Sequence, residues 1–322
     1  MNKGLVTVFG GSGFIGRYVV RALARDGWRV RVAMRRPHTG QDLRVLGTVG
    51  QIQLVQANVR FKKSVERAVE GADAVINLVA VLYEEGKQSF EGLHVNGANN
   101  VAEAAASAGI TNFAQVSAIG ADANSDIDYA RTKALGEAAV KAAVPSADIL
   151  RPSIVFGAED QFFNRFASMA TLPGMFALPL LGGGDTKFQP VYVSDVADAI
   201  AKVIYQGTKG DIYELGGPRV YTFKELMSFL LKTIDRKRLL LPVPWFGANM
   251  MGFIGEVSGA LPFVAPFLTR DQVKNLKVDN IVSESAKGFD SLGIQLETIE
   301  CIVPDYLERY RKYGQFHESE LA

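Results

Sequence analysis

The first half of the chain alternates short apolar runs with amphipathic stretches. The apolar runs are L-V-T-V-F, W-R-V-R-V-A-M, I-Q-L-V-Q, D-A-V-I-N-L-V-A, F-A-Q-V-S and D-I-L-R-P-S-I-V, and segments of helical periodicity lie between them. Strands that alternate with helices, and runs that are apolar on both faces, are typical of a parallel sheet covered by helices on each side. The pattern therefore predicts an α/β fold with a doubly wound parallel sheet of the Rossmann type.

The alternation weakens after about Gly157, where segments rich in Phe and Pro follow. One more strand and helix, K-F-Q-P-V-Y-V-S-D-V-A-D-A-I-A-K-V-I, indicates a return to the main sheet. We therefore expect a dinucleotide-binding domain of residues 1–158, with a return segment at about 186–215. Residues 159–185 and 216–322 are expected to form a smaller, mixed C-terminal domain.

Composition and charge exclude several classes of protein. Of 322 residues, 48% are hydrophobic and 21% are charged, which is typical of a soluble globular protein. The 35 basic and 34 acidic residues nearly cancel, so no global field attracts nucleic acid. The single cysteine, Cys301, excludes disulfides within the chain and is expected to be a small buried apolar residue. No histidine stands at zinc-ligand spacing with another His or Cys, so we expect no metal.

Neither a targeting peptide nor a membrane-spanning helix is expected. The N-terminus M-N-K-G passes directly into the first apolar run, without the pattern of a signal peptide. The longest apolar tract, from Leu241 to Phe267, contains Glu256 and four prolines, so we do not expect it to span a bilayer. These features favour a cytoplasmic location.

A glycine-rich loop, G-G-S-G-F-I-G, directly follows the first apolar run. Gly10, Gly13 and Gly16 have the spacing G-x-x-G-x-x-G, and an amphipathic helix comes next. Glycines in such a loop permit a tight turn and a close backbone approach, while the free N–H groups of the helix face a pyrophosphate. Because strand, loop, helix and second strand occur in order, the loop predicts a dinucleotide site.

The residues after the second strand indicate which dinucleotide is bound. An acidic residue about 20 positions beyond the last glycine would bind the ribose 2'-hydroxyl, but this chain has M-R-R-P there. Arg35 and Arg36 can pair with a 2'-phosphate through their forked guanidinium groups, which favours NADP(H) over NAD(H). The alternative is that both arginines are solvated surface charges. Arg17, next to the last glycine, is a further candidate for this pocket.

The pattern Tyr-x-x-x-Lys occurs three times, in Y-E-E-G-K, Y-A-R-T-K and Y-Q-G-T-K. A glycine interrupts the first and third copies, so we expect the first in a loop and the third at the end of a helix. Only Tyr129 and Lys133 open a helical run, in which their separation by four residues places both side chains on one face. That run follows F-A-Q-V-S, and a doubly wound sheet binds its ligand at the carboxyl ends of its strands.

With these motifs the sequence resembles the short-chain dehydrogenase/reductase superfamily over most of its length. Further matching phrases are A-N-V-R, N-L-V-A, L-H-V-N-G-A-N-N, R-P-S-I-V-F-G and Y-E-L-G-G-P. The resemblance implies that Tyr129 exchanges a proton with a substrate oxygen, while Lys133 lowers the pKa of the tyrosine and binds the nicotinamide ribose. A phenol with a pKa near 10 needs such a positive charge to act as a base at neutral pH. The cofactor contacts that it implies are Gly10, Gly13, Phe14, Ile15, Gly16, Arg17, Arg35, Arg36, Asn58, Val59, Leu78, Val79, Ala80, Asn96, Lys133, Pro152 and Ile154.

Three positions depart from the superfamily pattern. Ser117 occupies the first place of an S-A pair after the fifth strand, and Ala118 stands where a catalytic Ser or Thr is usual. Asn58 stands where an aspartate often contacts the adenine, and Ala80 replaces a common glycine. The dinucleotide site is therefore expected to be intact, and Ser117 is the candidate for a catalytic hydroxyl group.

Longer phrases narrow the resemblance within the superfamily. R-P-S-I-V-F-G-A-E-D-Q-F-F-N-R-F, K-F-Q-P-V-Y-V-S-D-V-A, L-T-R-D-Q-V and I-V-P-D-Y-L are similar to the nucleotide-binding accessory subunit of respiratory complex I and its bacterial relatives. This resemblance implies bound NADPH without established turnover, in a structural or assembly subunit beside the quinone-binding region. The alternative is an active NADPH-dependent oxidoreductase or epimerase that acts on an apolar carbonyl compound or a quinone-pathway substrate. A redox-sensing regulator has no sequence feature of its own.

Residues 232–267 are a candidate surface for a partner. Four basic residues between positions 232 and 238 directly precede an apolar segment that contains Trp245 and Phe246. Basic side chains beside apolar anchors suit a membrane surface or a partner protein such as a complex I subunit. The alternative is a buried lid over a substrate pocket. With the missing targeting peptide, the first interpretation implies a peripheral position on the cytoplasmic face of the inner membrane.

Overall fold

The apolar runs of the sequence become strands in the computed structural model, which describes residues 3–259 and 268–316. The central strands β4 and β5 are buried along their whole length, and β1 is buried at all but its first residue, as runs that are apolar on both faces require. The strands are β1 (Leu5–Phe9), β2 (Arg29–Met34), β3 (Ile52–Gln56), β4 (Ala74–Asn77), β5 (Phe113–Val116), β6 (Asp148–Pro152), β7 (Val155–Phe156), β8 (Ala177–Leu181), β9 (Lys187–Phe188), β10 (Val191–Tyr192), β11 (Ile212–Leu215), β12 (Tyr221–Thr222) and β13 (Leu239–Val243).

Eleven α-helices connect or flank these strands within the described residues. A π-helical turn, Glu91–Val95, directly precedes the third of them, and a 3-10 segment, Pro37–Leu46, follows β2. The helices are α1 (Phe14–Arg25), α2 (Lys62–Val69), α3 (Asn96–Ser107), α4 (Asp128–Ala143), α5 (Phe163–Thr171), α6 (Val193–Gln206), α7 (Phe223–Thr233), α8 (Trp245–Gly259), α9 (Arg270–Asn275), α10 (Phe289–Leu292) and α11 (Ile299–Leu307).

Seven parallel strands form one sheet in the order β11-β6-β5-β4-β1-β2-β3. The winding reverses between β1 and β4, so helices cover both faces of the sheet. One face packs on α2, α3 and α4, and α1 packs against α6. The prediction of a doubly wound parallel sheet is confirmed.

The chain forms two compact units. The first contains the residues up to Pro152 together with Val193–Leu215 and Ser283–Gln295, and it holds the whole seven-stranded sheet. The second contains Ser153–Tyr192, Gly216–Val282 and the residues from Leu296 on.

The second unit mixes short paired strands with helices around a core rich in aromatic side chains. Phe156 and Phe163 are buried there and meet edge to face, and so do Phe188 and Phe223. Such aromatic pairs stabilise a fold by more than the apolar area that they bury. The fold of this unit therefore rests on the Phe-rich segments that interrupt the strand and helix alternation of the sequence.

Two expectations about single features can be compared with the structure. Cys301 is exposed, so the expectation that it is buried is wrong. The buried residues of α11 are Ile299, Val303 and Leu307, and a residue two positions after Ile299 falls on the opposite face of a helix.

No helix in the described ranges is long and apolar enough to cross a membrane. The C-terminal part of the apolar tract, residues 260–267, lies outside the described residues.

Candidate functional site

The parallel register aligns the carboxyl ends of the central strands. Phe9 of β1 pairs with Ala33 of β2 and with Asn77 of β4, and Asn77 pairs in turn with Gln115 of β5. The residues that follow these strands therefore share one edge of the sheet, where doubly wound folds bind their ligands. The predicted site residues at this edge are Gly10, Arg35, Asn58, Leu78 and Ser117, with Pro152 at the end of β6.

The glycine-rich motif between β1 and α1 has no room for a side chain at Gly10 or Gly16. Gly10 has a φ of +79°, and the N–H of Gly13 donates to its carbonyl oxygen at 3.0 Å. A Cβ atom on Gly16 would lie 2.3 Å from that same oxygen, so only glycine lets the helix start so close to the loop. No side chain caps α1 at Gly13, and the N–H groups of Phe14 and Ile15 remain available to an anion. This loop fits a pyrophosphate.

Three arginines predicted to contact the cofactor differ in their surroundings. Arg17 forms an ion pair with Asp42, and this contact lowers the pKa of the Asp42 carboxyl group. Arg35 donates to the side chain of Gln88 at 2.8 Å. The guanidinium of Arg36 is exposed and has no partner among the described residues. Of the three arginines, Arg36 is therefore the one whose guanidinium is available to pair with an anion.

The turn after β3 is fixed by its own polar groups. The N–H of Asn58 donates to Ser64 Oγ at 2.9 Å, and its side-chain oxygen accepts from the N–H of Arg60 at 3.2 Å. The carbonyl oxygen of Val59 accepts from Asn100 Nδ2 at 2.8 Å. The Asn58 side chain thus stabilises the loop in the manner of an Asx turn.

The segment after β4 lies directly against the glycine-rich loop. A Cβ atom on Gly10 would lie 3.2 Å from the backbone of both Leu78 and Val79. The N–H of Val79 donates at 3.2 Å to Asn77 Oδ1, and Asn77 is buried and pairs with Gln115 at 2.9 Å. This buried amide pair shapes the edge of the sheet, and the sequence analysis missed it.

The remaining predicted contacts are more scattered. Ala80 and Asn96 are exposed, at the end of the β4 segment and at the start of α3. Pro152 is buried, and its carbonyl oxygen accepts from the N–H of Ile119 at 3.1 Å. Ile154 belongs to the second unit, unlike the other predicted site residues.

Tyr129 and Lys133 lie in the first two turns of α4, as their spacing predicts. Lys133 is buried and donates from Nζ to the carbonyl oxygen of Val116 at 3.1 Å. Burial lowers the pKa of Lys133 to about 8, although the negative charge of Glu137 opposes this. Burial also raises the pKa of the Tyr129 phenol to about 12. The two copies of the pattern outside this helix lie in a loop and at the end of α6, as expected.

A buried histidine joins the tyrosine helix to the neighbouring loop. His94 Nε2 accepts from the N–H of Val81 at 3.1 Å, so Nδ1 carries the proton and donates to Thr132 Oγ1 at 3.1 Å. The hydroxyl of Thr132 donates in turn to the carbonyl oxygen of Asp128. The imidazole ring also stacks on Phe90 and meets the ring of Tyr129 edge to face, at 5.5 Å between centroids.

The position of His94 depends on a glycine of α4. A Cβ atom on Gly136 would lie 2.0 Å from the carbonyl oxygen of His94, which is in the π-helical turn. Turns of this kind are frequent at functional sites. Sequence reasoning missed His94 because its partners are 13 and 38 residues away along the chain.

Ser117 carries a buried hydroxyl group that has no hydrogen-bond partner in the described structure. Its N–H donates to the carbonyl oxygen of Leu150 at 2.7 Å, so the backbone is fixed while the side chain is not. Buried polar groups are nearly always paired, and an exception needs an explanation. Because Ser117 follows β5 at the ligand edge of the sheet, its hydroxyl group stays a candidate partner for a ligand there.

The neutral state of His94 gives a prediction for the pH dependence of stability. Burial and the nearby charge of Lys133 lower the pKa of His94 to about 3, against 6.5 in an unfolded chain. Between these two pKa values the folded state therefore binds fewer protons than the unfolded state. The free energy of unfolding should then fall with decreasing pH by roughly 1.4 kcal/mol per pH unit. Measured by urea unfolding, the free energy of unfolding of His94→Gln should depend less on pH between pH 6.5 and pH 5 than that of the wild type. His38→Gln, at an exposed position, should keep the pH dependence of the wild type. Equal slopes for wild type and His94→Gln would contradict this.

Comparisons with known proteins show the family to which the chain belongs. The model of the NAD dependent epimerase/dehydratase family matches residues 6–216. Subunit 9 of the NADH dehydrogenase [ubiquinone] 1 alpha subcomplex from Rattus norvegicus is 34% identical over 312 residues, which cover 96% of this chain and 81% of that protein. Ceramide reductase from Caulobacter vibrioides is 32% identical over 262 residues and 80% of each chain.

Solved structures show the same fold. The NADPH-dependent quinone oxidoreductase of Escherichia coli, solved with NADPH, superimposes with a TM-score of 0.72 at 22% identity. The match covers 94% of this chain and 99% of that one. The chain belongs to the NAD dependent epimerase/dehydratase family, within the short-chain dehydrogenase/reductase superfamily, and its cofactor is a nicotinamide dinucleotide.

Proposed function

We propose that the protein is an NADP(H)-binding accessory subunit of respiratory complex I, with a structural or assembly role near the quinone site. The observation that carries this proposal is the similarity to the mitochondrial subunit, which extends over 96% of the chain, whereas the family model ends at residue 216. The second unit is therefore shared with that subunit as well. The proposal includes a peripheral position on the cytoplasmic face of the inner membrane.

The chemistry of the site supports binding without turnover. Ala118 has no hydroxyl group at the position where the superfamily polarises its substrate. Burial raises the pKa of the Tyr129 phenol to about 12, and Lys133 directs a hydrogen bond at a backbone carbonyl of β5. A phenol with a raised pKa is a poor proton acceptor at neutral pH.

The experiment is to purify the protein without added nucleotide and to identify what it releases on denaturation. We expect stoichiometric NADPH that stays reduced with quinones and ketones, and a tagged chain that migrates with complex I in native gels of solubilised membranes. Protein that carries no nucleotide and never migrates with complex I would contradict the proposal.

The preference for NADP(H) has its own test, because Arg36 is the unpartnered arginine after β2. We expect Arg36→Glu to weaken NADPH binding by roughly tenfold or more, since a charge-assisted pair with a phosphate contributes about 1.5–3 kcal/mol. NADH binding should change little. Arg44→Glu introduces the same charge change at an exposed residue and should leave both affinities unchanged. Titrations followed by nucleotide fluorescence measure the affinities for NADPH and NADH. If Arg36→Glu weakens the binding of NADH as much as that of NADPH, Arg36 does not bind the 2'-phosphate.

A second candidate function is an active NADPH-dependent oxidoreductase on an apolar carbonyl compound. It is favoured by the pair Tyr129 and Lys133 on one face of α4, and by the similarity to ceramide reductase. A bound nicotinamide would supply the hydride chemistry. In this chain the glycine-rich loop would hold the pyrophosphate and Lys133 the ribose, while Tyr129 would exchange a proton with the substrate oxygen.

The second candidate predicts that Tyr129→Phe abolishes NADPH consumption without preventing NADPH binding. The ring keeps its contacts with Phe90 and His94, so only the ionisable hydroxyl is lost. We expect a decrease of at least roughly 100-fold in turnover with a ceramide-type or quinone-type ketone. Tyr205→Phe, in another copy of the same sequence pattern, is the matched control. Wild-type protein that consumes no NADPH with any such ketone would exclude this candidate.

A further inference from the structure

The packing of α8 is the reverse of that of an ordinary surface helix. Its inward residues are small: Ala248, Gly252 and Gly255 are buried. A Cβ atom on Gly255 would lie 2.0 Å from the carbonyl oxygen of Leu268, so this face is pressed against the chain that leads into α9. Trp245 and Met251 pack partly against the same core, but the other large apolar side chains of the helix are exposed.

Four of these large side chains form what we call the apolar face of α8. Their spacing of four, three and one residues places them on one side of the helix. They are more than half exposed: Phe246 (80%), Met250 (54%), Phe253 (53%) and Ile254 (60%). A soluble helix normally buries such residues, and single exposed ones need no explanation, but four on one face do.

The same unit exposes more apolar surface on the paired strands β8 and β13. Leu239 and Leu241 of β13 are exposed, and Phe176, whose carbonyl oxygen accepts from the N–H of Leu239 at 3.0 Å, is 79% exposed. In the sequence, the eight residues after α8, A-L-P-F-V-A-P-F, carry no charge. Apolar character therefore extends on both sides of the helix along the chain.

The charges around these apolar residues are mostly positive. Between positions 232 and 278 the sequence has seven basic and three acidic residues, although the whole chain has a net charge of only +1. The acidic residue of α8, Glu256, is paired with Arg270 at 2.7 Å, and the Arg270 guanidinium also lies over the ring of Phe253. Lys232 and Lys237 are exposed. The segment is thus cationic, whereas the remainder of the chain has a net negative charge.

We propose that the apolar face of α8 inserts into the interfacial region of an anionic phospholipid bilayer, with the surrounding Lys and Arg side chains at the headgroups. Helices with an apolar face and cationic neighbours bind membranes through buried apolar area and attraction to anionic lipids. This inference gives the surface for the peripheral location in the proposed function, but it does not require complex I. Its test uses lipid alone, so this inference and the proposed function can be contradicted separately.

A bilayer fits this face better than a second protein does. Protein interfaces contain about one hydrogen bond per 100–200 Å² and have a polar rim. The four side chains of the apolar face contain no hydrogen-bond donor, and their only possible acceptor is the weak thioether of Met250. A second copy of the chain would bring two cationic segments together, which costs energy, whereas anionic lipid neutralises them.

The test is sedimentation of the purified full-length protein with extruded vesicles. We expect binding to phosphatidylcholine vesicles that contain phosphatidylglycerol, weaker binding at high salt, and little binding to phosphatidylcholine alone. The double variant Phe253→Ser/Ile254→Ser should reduce the partition coefficient by roughly tenfold or more, because it removes two large apolar side chains whose transfer out of water favours binding. Phe61→Ser, a similarly exposed phenylalanine of the first unit, is the matched control.

Insertion can be separated from simple adhesion by fluorescence. The chain has two tryptophans, Trp28, which is buried in the first unit, and Trp245, which begins α8. In a Trp28→Phe background, lipids brominated in the acyl chains should quench the emission of Trp245 if the helix inserts. Wild-type protein that stays in the supernatant, or a double variant that binds as well as wild type, would overturn the proposal. If the wild type does not bind vesicles but forms a dimer in light scattering, and the double variant is monomeric, a second copy of the chain covers the apolar face of α8 instead.

Discussion

The Gly16→Ala variant is expected to lose roughly 10- to 100-fold in nucleotide affinity, because overpacking a tight contact costs about 1–3 kcal/mol. A Cβ atom at this position would lie 2.3 Å from the carbonyl oxygen of Gly10 and 2.6 Å from Gly11 Cα. Both of these are backbone atoms, so no side chain can rotate away. Either α1 must move away from the loop or the loop must change, and both displace the N–H groups that would hold the pyrophosphate.

Nucleotide released from purified protein, followed by titration with NADPH, measures this effect. Gly288→Ala is the matched control, since a Cβ atom there has its nearest neighbour at 3.4 Å, an ordinary contact, and the residue lies outside the predicted site. We expect wild-type affinity for that control. Full NADPH occupancy of the Gly16→Ala variant would show that the loop between β1 and α1 does not hold the dinucleotide.

The Arg151→Met variant should lower the free energy of unfolding of the first unit by about 3 kcal/mol, the lower end of the range for breaking a buried ion pair. Arg151 of β6 makes two hydrogen bonds with Glu137 of α4, at 3.0 and 2.6 Å, and lies 3.8 Å from a carboxylate oxygen of Glu214 of β11. These contacts raise the pKa of the arginine. Without the guanidinium, two largely buried carboxylates would remain without the positive charge that they share.

Two further variants show whether burial is the cause. Arg25→Met removes a partner of Asp198 at the surface, at a similar distance of 2.7 Å, and should cost less than about 0.5 kcal/mol because exposed pairs contribute little. Glu137→Leu/Arg151→Met should recover part of the stability that the single variant loses. Urea unfolding followed by Trp28 in a Trp245→Phe background reports on the first unit. Equal losses for Arg25→Met and Arg151→Met would contradict the prediction.

Much of the first unit could be predicted because its signals are local. The glycine-rich loop, the helix after it and the helical placement of Tyr129 and Lys133 each follow from neighbours within about one or two turns of the chain. The alternation of strands and helices predicts the doubly wound sheet, because connections between parallel strands follow few rules. In the second unit, the letters T-F-K-E are an equally local signal, and Thr222 and Glu225 form a capping box at the start of α7.

Features that depend on distant partners could not be predicted. His94 is one of three scattered histidines in the sequence, and only the fold brings it to Val81 and Thr132. Arg17 was predicted for the cofactor pocket, but its pairing with Asp42 depends on where the 3-10 segment after β2 packs. Cys301 was predicted to be buried from residue type alone, and the face of α11 decides otherwise.

The exposure of Cys301 gives this protein a single reporter position. It is the only cysteine in the sequence, so a maleimide dye would label one known site in the second unit without removal of any other thiol. Reduced nicotinamide nucleotide is itself fluorescent. Energy transfer between a nucleotide bound to the first unit and a dye on Cys301 would therefore follow the separation of the two units in solution, with and without vesicles present.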